Sequence, residues 1–326
     1  MKEFLRNFYY KNRPFKFRKF ENIIFEKNDL RLLSLQQKID PHVALVEITK
    51  SCNLKCEYCP NKSFTDNNIF MDKDVYKSII DQLPPDIELQ PVGVGESTLH
   101  PGFPEMVEYA SSRNKFKLIS VTTNLTAKKS DYYANLFEKG MDFLSFSIDT
   151  FNPLTIRKTR SGTDPERLIT NIRMLAGLFP DSTSAHLTLS DINLPDLKET
   201  IEKLIELGVR RMTMKNVIKF NSETNPDISN LSEEIVMDIT GNYKDQIDIK
   251  LVPTERCTRP FNEIAVNVYG NLFFCHYSFI DDKNGYGKIQ NDLMKKYYSD
   301  EFNLLRSFFY SKRPGLCTFC PYYPIF

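Results

Sequence analysis

Short apolar segments alternate with longer segments of mixed polarity between residues 42 and 215. Such short apolar segments are typical of strands that are covered on both faces of a sheet. Six of them are predicted strands: 42–48, 88–94, 117–123, 141–148, 185–189 and 210–215. The longer segments are predicted helices: 72–83, 101–112, 128–139, 165–178 and 194–207. This alternation predicts βαβ units, a parallel sheet and an α/β fold, and six units predict a partial (β/α)6 TIM-like barrel.

The chain changes in character after residue 220. Residues 221–230 are polar and contain a proline, which indicates a linker. Residues 232–243 are a predicted helix, and residues 264–275 a β-hairpin that turns at residues 270–271. We therefore expect four regions: an N-terminal arm at 1–42, the barrel at 43–220, a linker and helix at 221–249, and a small cysteine-rich domain at 250–326.

Composition narrows the class of protein. Hydrophobic residues make up 41% and charged residues 26% of the 326 positions, which is ordinary for a soluble globular protein. The net charge of +1 gives no whole-chain attraction to nucleic acid, so no nucleic-acid partner is predicted. No apolar run approaches the roughly 18 residues of a transmembrane helix. The first residues lack the apolar core of a signal peptide, so we expect a cytoplasmic protein.

The first 20 residues depart from this average, with seven Lys or Arg, one acidic residue and seven aromatic residues. We expect the aromatic rings to pack on the barrel while the charges stay in water. The alternative is that this arm docks on anionic lipid, nucleic acid or an acidic partner.

Seven cysteines, an odd number, argue against a disulfide framework and favour metal ligation. Cys52, Cys56 and Cys59 have the spacing C-x3-C-x2-C directly after the first predicted strand. Three thiolates on one loop can hold three irons of a [4Fe–4S] cluster and leave the fourth iron open to a second molecule. The alternative is a structural zinc site, although zinc usually takes four ligands in paired short spacings.

This cysteine loop resembles the signature of the radical S-adenosylmethionine (SAM) superfamily. The resemblance implies that the amino and carboxylate groups of SAM chelate the open iron. It also implies that one electron from the cluster breaks the C–S bond of SAM, and that the resulting 5′-deoxyadenosyl radical abstracts a substrate hydrogen atom. Cys52, Cys56 and Cys59 would then be both the metal ligands and the catalytic residues.

Polar motifs at three other strand ends are similar to motifs of the same superfamily. Gly95 and Glu96 match its Gly-Gly-Glu segment in part, which implies contact with the amino group of SAM. Asn124 matches its Thr-Asn-Gly motif, with Leu125 in place of glycine; an ordinary turn residue is the alternative. Ser147 and Asp149 match its Ser-x-Asp motif, which implies contact with the ribose and carboxylate of SAM. They alternate with apolar neighbours and so face one side of the strand, although Asp149 could instead cap a helix.

Two further residues carry weaker resemblances. Arg160 lies in a stretch similar to the superfamily's Arg-x-Gly, and a guanidinium suits a carboxylate of SAM or of the substrate. Asn193 follows the fifth predicted strand, where members of the superfamily often place a polar residue near the nucleoside.

The remaining cysteines are Cys257, Cys275, Cys317 and Cys320. Their hairpin and terminal C-x2-C resemble the SPASM/twitch extension of radical SAM enzymes, in its shorter form with one auxiliary [4Fe–4S] cluster. Two clusters are therefore expected in the chain, the second fully ligated and suited to moving electrons. A zinc ribbon is the alternative. His276, beside Cys275, is expected to face solvent.

The resemblance determines the mechanism better than the substrate. We favour oxidation of a sugar-like or cyclitol-like small metabolite, with the auxiliary cluster as electron acceptor and a flavodoxin or ferredoxin as electron donor. Modification of a peptide or protein, by cross-linking or epimerisation, is the second hypothesis. A non-catalytic iron–sulfur or zinc protein is the third.

Overall fold

The computed structural model describes residues 40–63, 68–217, 236–252, 259–280, 285–303 and 306. The N-terminal arm up to residue 39, the predicted linker at 221–230, and Cys257, Cys317 and Cys320 lie outside these residues.

The main sheet has nine strands within the described residues. In chain order they are β1 Val43–Val46, β3 Glu88–Gln90, β4 Leu118–Thr123, β5 Phe143–Ser147, β7 Thr183–Leu189, β8 Arg211–Asn216, β9 Asp248–Leu251, β10 Glu263–Val266 and β11 Leu272–Phe273. Their order across the sheet is β11-β10-β1-β3-β4-β5-β7-β8-β9, and the short strands β2 Lys55–Cys56 and β6 Arg160–Ser161 form a separate ribbon. Every neighbouring pair of the main sheet is parallel except β10 and β11, which form an antiparallel hairpin. The prediction of an α/β fold with a mostly parallel sheet is confirmed.

Eight labelled helices accompany the strands in the described residues: α1 Lys73–Gln82, α2 Phe103–Ser112, α3 Ser130–Glu138, α4 Pro153–Thr159, α5 Pro165–Leu178, α6 Leu197–Glu206, α7 Arg259–Asn262 and α8 Leu293–Tyr297. Residues 236–241 are also helical. Local chemistry fixes where the helices begin. The Asp72 carboxylate accepts from the backbone N–H groups of Asp74 and Val75 and so caps α1. Asp164 caps α5 in the same way, directly before Pro165.

Alternation along the strands separates an apolar face from a polar one. Leu89, Leu144, Ala185 and Met212 are buried with helix residues in the main hydrophobic core. The residues that alternate with the core residues of β3, β4, β5, β7 and β8 are mostly polar: Glu88, Gln90, Ser120, Thr122, Ser145, Ser147, His186, Thr188, Thr213 and Lys215. We call this second side the inner face of the sheet.

Two strands extend the six predicted ones. β9 pairs with β8 and crosses the boundary predicted at residues 249–250. β10, predicted within the small C-terminal domain, pairs with β1 through four residues and so belongs to the main sheet. These pairings join segments far apart in sequence, which local patterns do not reveal. The four-region division itself stays a prediction.

No helix in the described part of the chain combines the length and apolar character needed to cross a membrane.

Candidate active site

The three loop cysteines lie beyond the carboxyl end of β1, where parallel α/β sheets bind their ligands. The Cys59 N–H donates to the carbonyl of Cys56 at 3.2 Å, and the Leu54 N–H donates to Cys52 Sγ at 3.4 Å. Within the loop, β2 (Lys55–Cys56) pairs antiparallel with β6 (Arg160–Ser161), so that Cys56 lies opposite Arg160. The loop therefore has a defined backbone conformation rather than being a free connection.

The glycine segment after β3 supports the backbone of this loop. The Glu96 N–H donates to the carbonyl of Ser51 at 2.8 Å. A Cβ atom at Gly95 would lie 2.3 Å from the carbonyl oxygen of Thr49 and 2.8 Å from that of Ser51. Only glycine permits this approach of two backbones, so Gly95 positions the segment that leads into Cys52.

The Glu96 carboxylate, buried and 4% exposed, joins two strand ends. Its Oε1 accepts from the N–H and hydroxyl of Thr98 at 3.3 and 2.6 Å and from the Thr123 hydroxyl at 2.7 Å. Its Oε2 accepts from the Asn124 N–H at 2.7 Å. The carboxylate thus caps a short 3-10 helix and fixes the end of β4.

Asn124 lies over the cysteine loop. Its Nδ2 donates to Asn53 Oδ1 at 2.8 Å and approaches Cys52 Sγ at 4.0 Å, while its Oδ1 accepts from the Thr126 N–H at 2.9 Å. The next residue, Leu125, has a φ of +60°, in the left-handed region where glycine is favoured. Leu125 therefore occupies a backbone conformation that favours glycine, the residue that the Thr-Asn-Gly motif has at this position.

Asp149 and Arg160 form an ion pair at the end of β5, with 3.8 Å between Oδ2 and Nη1 and both side chains largely buried. Burial raises the pKa of Asp149, and the Arg160 guanidinium limits that rise. The Thr188 N–H also donates to Asp149 Oδ1 at 3.4 Å. Ser147 is half-buried two residues earlier on the same strand, opposite His186 of β7.

Asn193 has all of its amide capacity used within the protein. Its Nδ2 donates to the carbonyls of Asp149 and Thr188, both at 3.0 Å. Its Oδ1 accepts from the N–H and hydroxyl of Ser190 at 2.7 and 2.8 Å. An amide makes about four such bonds, so this side chain ties the ends of β5 and β7 together. Its predicted contact with a nucleoside stays a prediction.

Burial raises the pKa of all three loop thiols, that of Cys52 to about 12. The positive charge of Arg160 opposes this rise at Cys56 and Cys59. Among the described residues, the three thiols do not converge within 4.8 Å as ligands of one ion would. A single tetrahedral zinc ion with Zn–S bonds of about 2.3 Å would hold its sulfurs about 3.8 Å apart.

Two buried charged residues connect the cysteine loop to the hairpin of β10 and β11. The Glu47 carboxylate accepts from the Val94 N–H at 3.2 Å and from the Val268 N–H at 3.1 Å. The Lys50 ammonium lies 3.5 Å from the Phe279 carbonyl and 5.4 Å from the centre of the Tyr269 ring. Sequence reasoning missed both, because Val268 and Phe279 lie more than 200 residues away from them along the chain.

A second group of side chains that can ligate a metal lies around the buried Cys275. Ligand atoms of Glu263, Cys275 and His276 lie within 4.8 Å of one another. Glu263 accepts from the His276 N–H at 2.7 Å and lies 2.9 Å from both His276 Nδ1 and Arg259 Nη1. The expectation that His276 faces solvent is wrong, because this buried carboxylate holds the imidazole. Burial lowers the pKa of His276, and Glu263 opposes that change.

The inner face carries two charged or titratable residues that the sequence analysis did not select, His186 on β7 and Lys215 on β8. Burial and the neighbouring Lys215 charge lower the pKa of His186 to about 4. Burial also lowers the pKa of Lys215. Both residues alternate with core residues of their strands, and that pattern could have identified them.

An open cleft of about 820 Å³ borders the ribbon of β2 and β6. It is lined by Lys55, Glu57, Tyr58, Arg157, Lys158, Ser161 and Ile192. The Tyr58 hydroxyl lies 3.5 Å from the Asp191 carboxylate. The cysteine loop is therefore reachable from solvent along a surface rich in cations.

Comparison with known proteins identifies the family. The model of the radical SAM superfamily matches residues 46–235, more than half of the chain. The tungsten-containing aldehyde ferredoxin oxidoreductase cofactor-modifying protein of Pyrococcus furiosus is 30% identical over 192 residues, which are 56% of this chain and 53% of that protein. A probable GTP 3′,8-cyclase of Methanococcus vannielii is 26% identical over 167 residues, 50% of this chain and 54% of that one. The chain thus spans about half the length of these curated relatives.

Solved structures share the fold at low sequence identity. Streptococcus suis SuiB bound to S-adenosylmethionine has a TM-score of 0.71 at 13% identity, covering 94% of this chain and 84% of its own. The protein anSMEcpe with bound AdoMet has a TM-score of 0.64 at 16% identity, covering 81% and 82%. Because the family model matches more than half of the chain, the predictions of an enzyme, of one [4Fe–4S] cluster and of SAM as a cofactor are confirmed. This chain belongs to the radical SAM superfamily.

Proposed function

We propose that this enzyme oxidises a polar small metabolite of the sugar or cyclitol kind, with a second cluster near Cys275 as the acceptor of the remaining electron. The observation that carries the proposal is the inner face of the sheet, which is lined by hydroxyl, imidazole and ammonium groups beside the cysteine loop. Hydrogen-bonding side chains of this kind suit a hydroxylated molecule better than an apolar one.

The residues of the cysteine loop fit a [4Fe–4S] cluster. They offer three thiols on one braced loop, spaced too far apart for a single ion, with Arg160 opposite Cys56 to offset negative charge. Cys52, Cys56 and Cys59 would hold the cluster. Gly95, Glu96, Asn124, Ser147, Asp149 and Arg160 would surround bound SAM, and Asn193 would position the strand ends beneath it. When bound, the cluster and SAM supply a 5′-deoxyadenosyl radical that removes a hydrogen atom from the substrate.

The second cluster is proposed for Cys257, Cys275, Cys317 and Cys320 in a SPASM/twitch-type domain. Two features support it. Cys275 is buried beside Phe273 and Phe274, and such a shell shields a cluster and tunes its reduction potential. Glu47 and Lys50 also fasten the hairpin that carries Cys275 to the cysteine loop. This contact would keep the two redox centres at a fixed separation.

The names of the curated relatives agree with a small-molecule substrate. One is named for modifying a cofactor and several for cyclising GTP, and both targets are small molecules. An electron donor such as flavodoxin or ferredoxin is proposed as the protein partner, since the first cluster must be reduced before it can act.

Modification of a peptide is the second candidate, and the open cleft beside β2 and β6 favours it. A cleft of about 820 Å³ with exposed Arg157 and Lys158 could admit an extended, acidic peptide segment. The two candidates differ in a measurable way, because a peptide substrate would protect the cleft from proteolysis or chemical labelling while a small metabolite would not.

Anaerobic reconstitution with iron and sulfide, followed by SAM and dithionite, tests the proposal. We expect about eight irons per chain and release of 5′-deoxyadenosine. The Cys52→Ala variant should hold about four irons and release none, whereas Cys317→Ala should hold about four irons and still release it. Zinc in place of iron, or about eight irons in Cys317→Ala, would show that the assignment of the two clusters is wrong.

A further inference from the structure

Lys215 lies near the carboxyl end of β8 on the inner face. Met212 and Met214, which occupy the alternate positions of the same strand, belong to the main hydrophobic core, so the lysine side chain projects to the opposite side. Thr188 of β7 lies opposite Lys215 in the sheet, and the Thr188 N–H donates to Asp149. The ammonium group is therefore on the same side of the sheet as the predicted SAM-binding residues.

In the described part of the chain, the two carboxylates near Lys215 are each paired with another cation. Asp149 pairs with Arg160 at 3.8 Å, and Glu263 pairs with Arg259 at 2.9 Å. Among the described residues, none accepts a hydrogen bond from the Lys215 ammonium or forms an ion pair with it. Enclosed cations are ordinarily paired, because an unpaired charge away from water is strongly destabilising.

We propose that Lys215 binds an anionic group of the substrate, a carboxylate or a phosphate. This inference rests on the proposed function, because it takes the inner face to be the substrate site. It narrows the substrate class to sugar-like or cyclitol-like molecules that carry such a group.

The surroundings of Lys215 agree with a bound anion. Burial lowers the pKa of Lys215, the positive charges of Arg259 and Arg160 lower it further, and Asp149 alone opposes them. His186, with a pKa near 4, is neutral at physiological pH and adds no compensating charge. An anion at this point would offset the excess of positive charge.

The carboxylate of SAM is the other anion that could reach this region. Arg160 is better placed for it, because the ribbon of β2 and β6 sets Arg160 opposite Cys56. Lys215 lies two strands beyond β5, in the order β5-β7-β8. The geometry thus assigns Arg160 to the cofactor side and Lys215 to the substrate side.

Calorimetric titration of the full-length, reconstituted protein with SAM present tests the inference. The probes are inorganic phosphate and acetate, with glycerol as the neutral control. We expect the wild type to bind at least one of the two anions, and the anion that binds identifies the group. The Lys215→Met and Lys215→Gln variants should bind it at least tenfold more weakly, and Lys215→Arg within threefold of wild type. The matched control is Lys198→Met, at an exposed position on helix α6.

Three results would overturn the inference. The wild type could bind neither anion; both neutral variants could bind as tightly as wild type; or phosphate could compete with SAM, which would place the cation in the cofactor site. A failure of the proposed function is separate, because it would appear as no 5′-deoxyadenosine from the wild type whatever the anion titrations show.

Discussion

Two regions of the described parallel sheet treat their titratable side chains in opposite ways. At the ends of β3 and β4, the Glu96 carboxylate accepts four hydrogen bonds between 2.6 and 3.3 Å. On β7 and β8, His186 and Lys215 form no side-chain hydrogen bond with the described residues, although both are half-buried. Within the described residues, Glu96 therefore has its hydrogen-bond partners without a ligand, whereas Lys215 and His186 do not.

This difference separates two tasks of an active site. A fully bonded carboxylate holds the cysteine loop in one geometry before any cofactor binds, which is how a site avoids reorganisation when it reacts. Polar groups without partners destabilise the empty protein and gain their partners from a ligand. The comparison therefore predicts that substitutions in the first region damage folding and cofactor binding together, whereas those in the second affect ligand binding and improve or spare stability.

The largest effect is expected for Glu96→Ala. The change leaves the donors of Thr98, Thr123 and Asn124 unsatisfied in a buried position, which we expect to reduce the free energy of unfolding by about 4 kcal/mol. Denaturant unfolding measures this, and iron content after reconstitution should fall with it. Glu105→Ala, at an exposed position on α2, should change stability by less than about 0.5 kcal/mol. Equal effects of the two variants would show that Glu96 does not organise the strand ends.

Gly95→Ala tests the same region through the backbone. The added Cβ would meet the Thr49 carbonyl at 2.3 Å, so the cysteine loop has to move, and we expect a loss of about 3 kcal/mol together with impaired iron loading. Gly177→Ala is the matched control, because a Cβ added at this position within α5 would have no atom within 4 Å. That variant should gain about 0.5 kcal/mol from helix propensity. Normal iron loading in Gly95→Ala would contradict the close backbone contact.

The lowered pKa of His186 on β7 predicts that the stability of the protein depends on pH. Its pKa of about 4 in the folded chain lies below the ordinary value near 6.5, so the unfolded chain binds the proton more readily. Stability is therefore fully present above pH 6.5 and is lost as the pH falls towards 4. Between pH 7 and pH 5 this residue should account for roughly 2 kcal/mol of the loss. In His186→Gln, the free energy of unfolding should fall by roughly 2 kcal/mol less than in the wild type between pH 7 and pH 5. If the variant and the wild type lost the same stability over this range, the imidazole would not be desolvated in the folded chain.

The sequence predicted the sheet well and the long-range contacts poorly, for a physical reason. Apolar runs of strand length determine where strands form, and all six predicted strands are present, with cysteines and polar motifs at their carboxyl ends. The pairing of β10 with β1 and the burial of Lys50 depend on partners far away in the chain, which periodicity does not encode. The prediction for His276 was wrong because Glu263, on the facing strand of the hairpin, holds its imidazole, and periodicity does not encode that contact either. The position of Lys215 on the inner face could have been predicted from the sequence, because it alternates along β8 with Met212 and Met214.

The smallest effect, and the one of opposite sign, is expected for Lys215→Met. Replacing a half-buried cation that has no partner among the described residues by an apolar side chain of similar length removes a desolvation penalty and keeps the packing. We expect the free energy of unfolding at pH 7 to rise by about 1 kcal/mol, against a large fall for Glu96→Ala. Lys250→Met should stay within about 0.5 kcal/mol of wild type, because that side chain is already in water. Denaturant unfolding without added anions measures all three. A loss of stability in Lys215→Met would mean that the ammonium has a structural partner, and the contrast between the two regions of the sheet would then disappear.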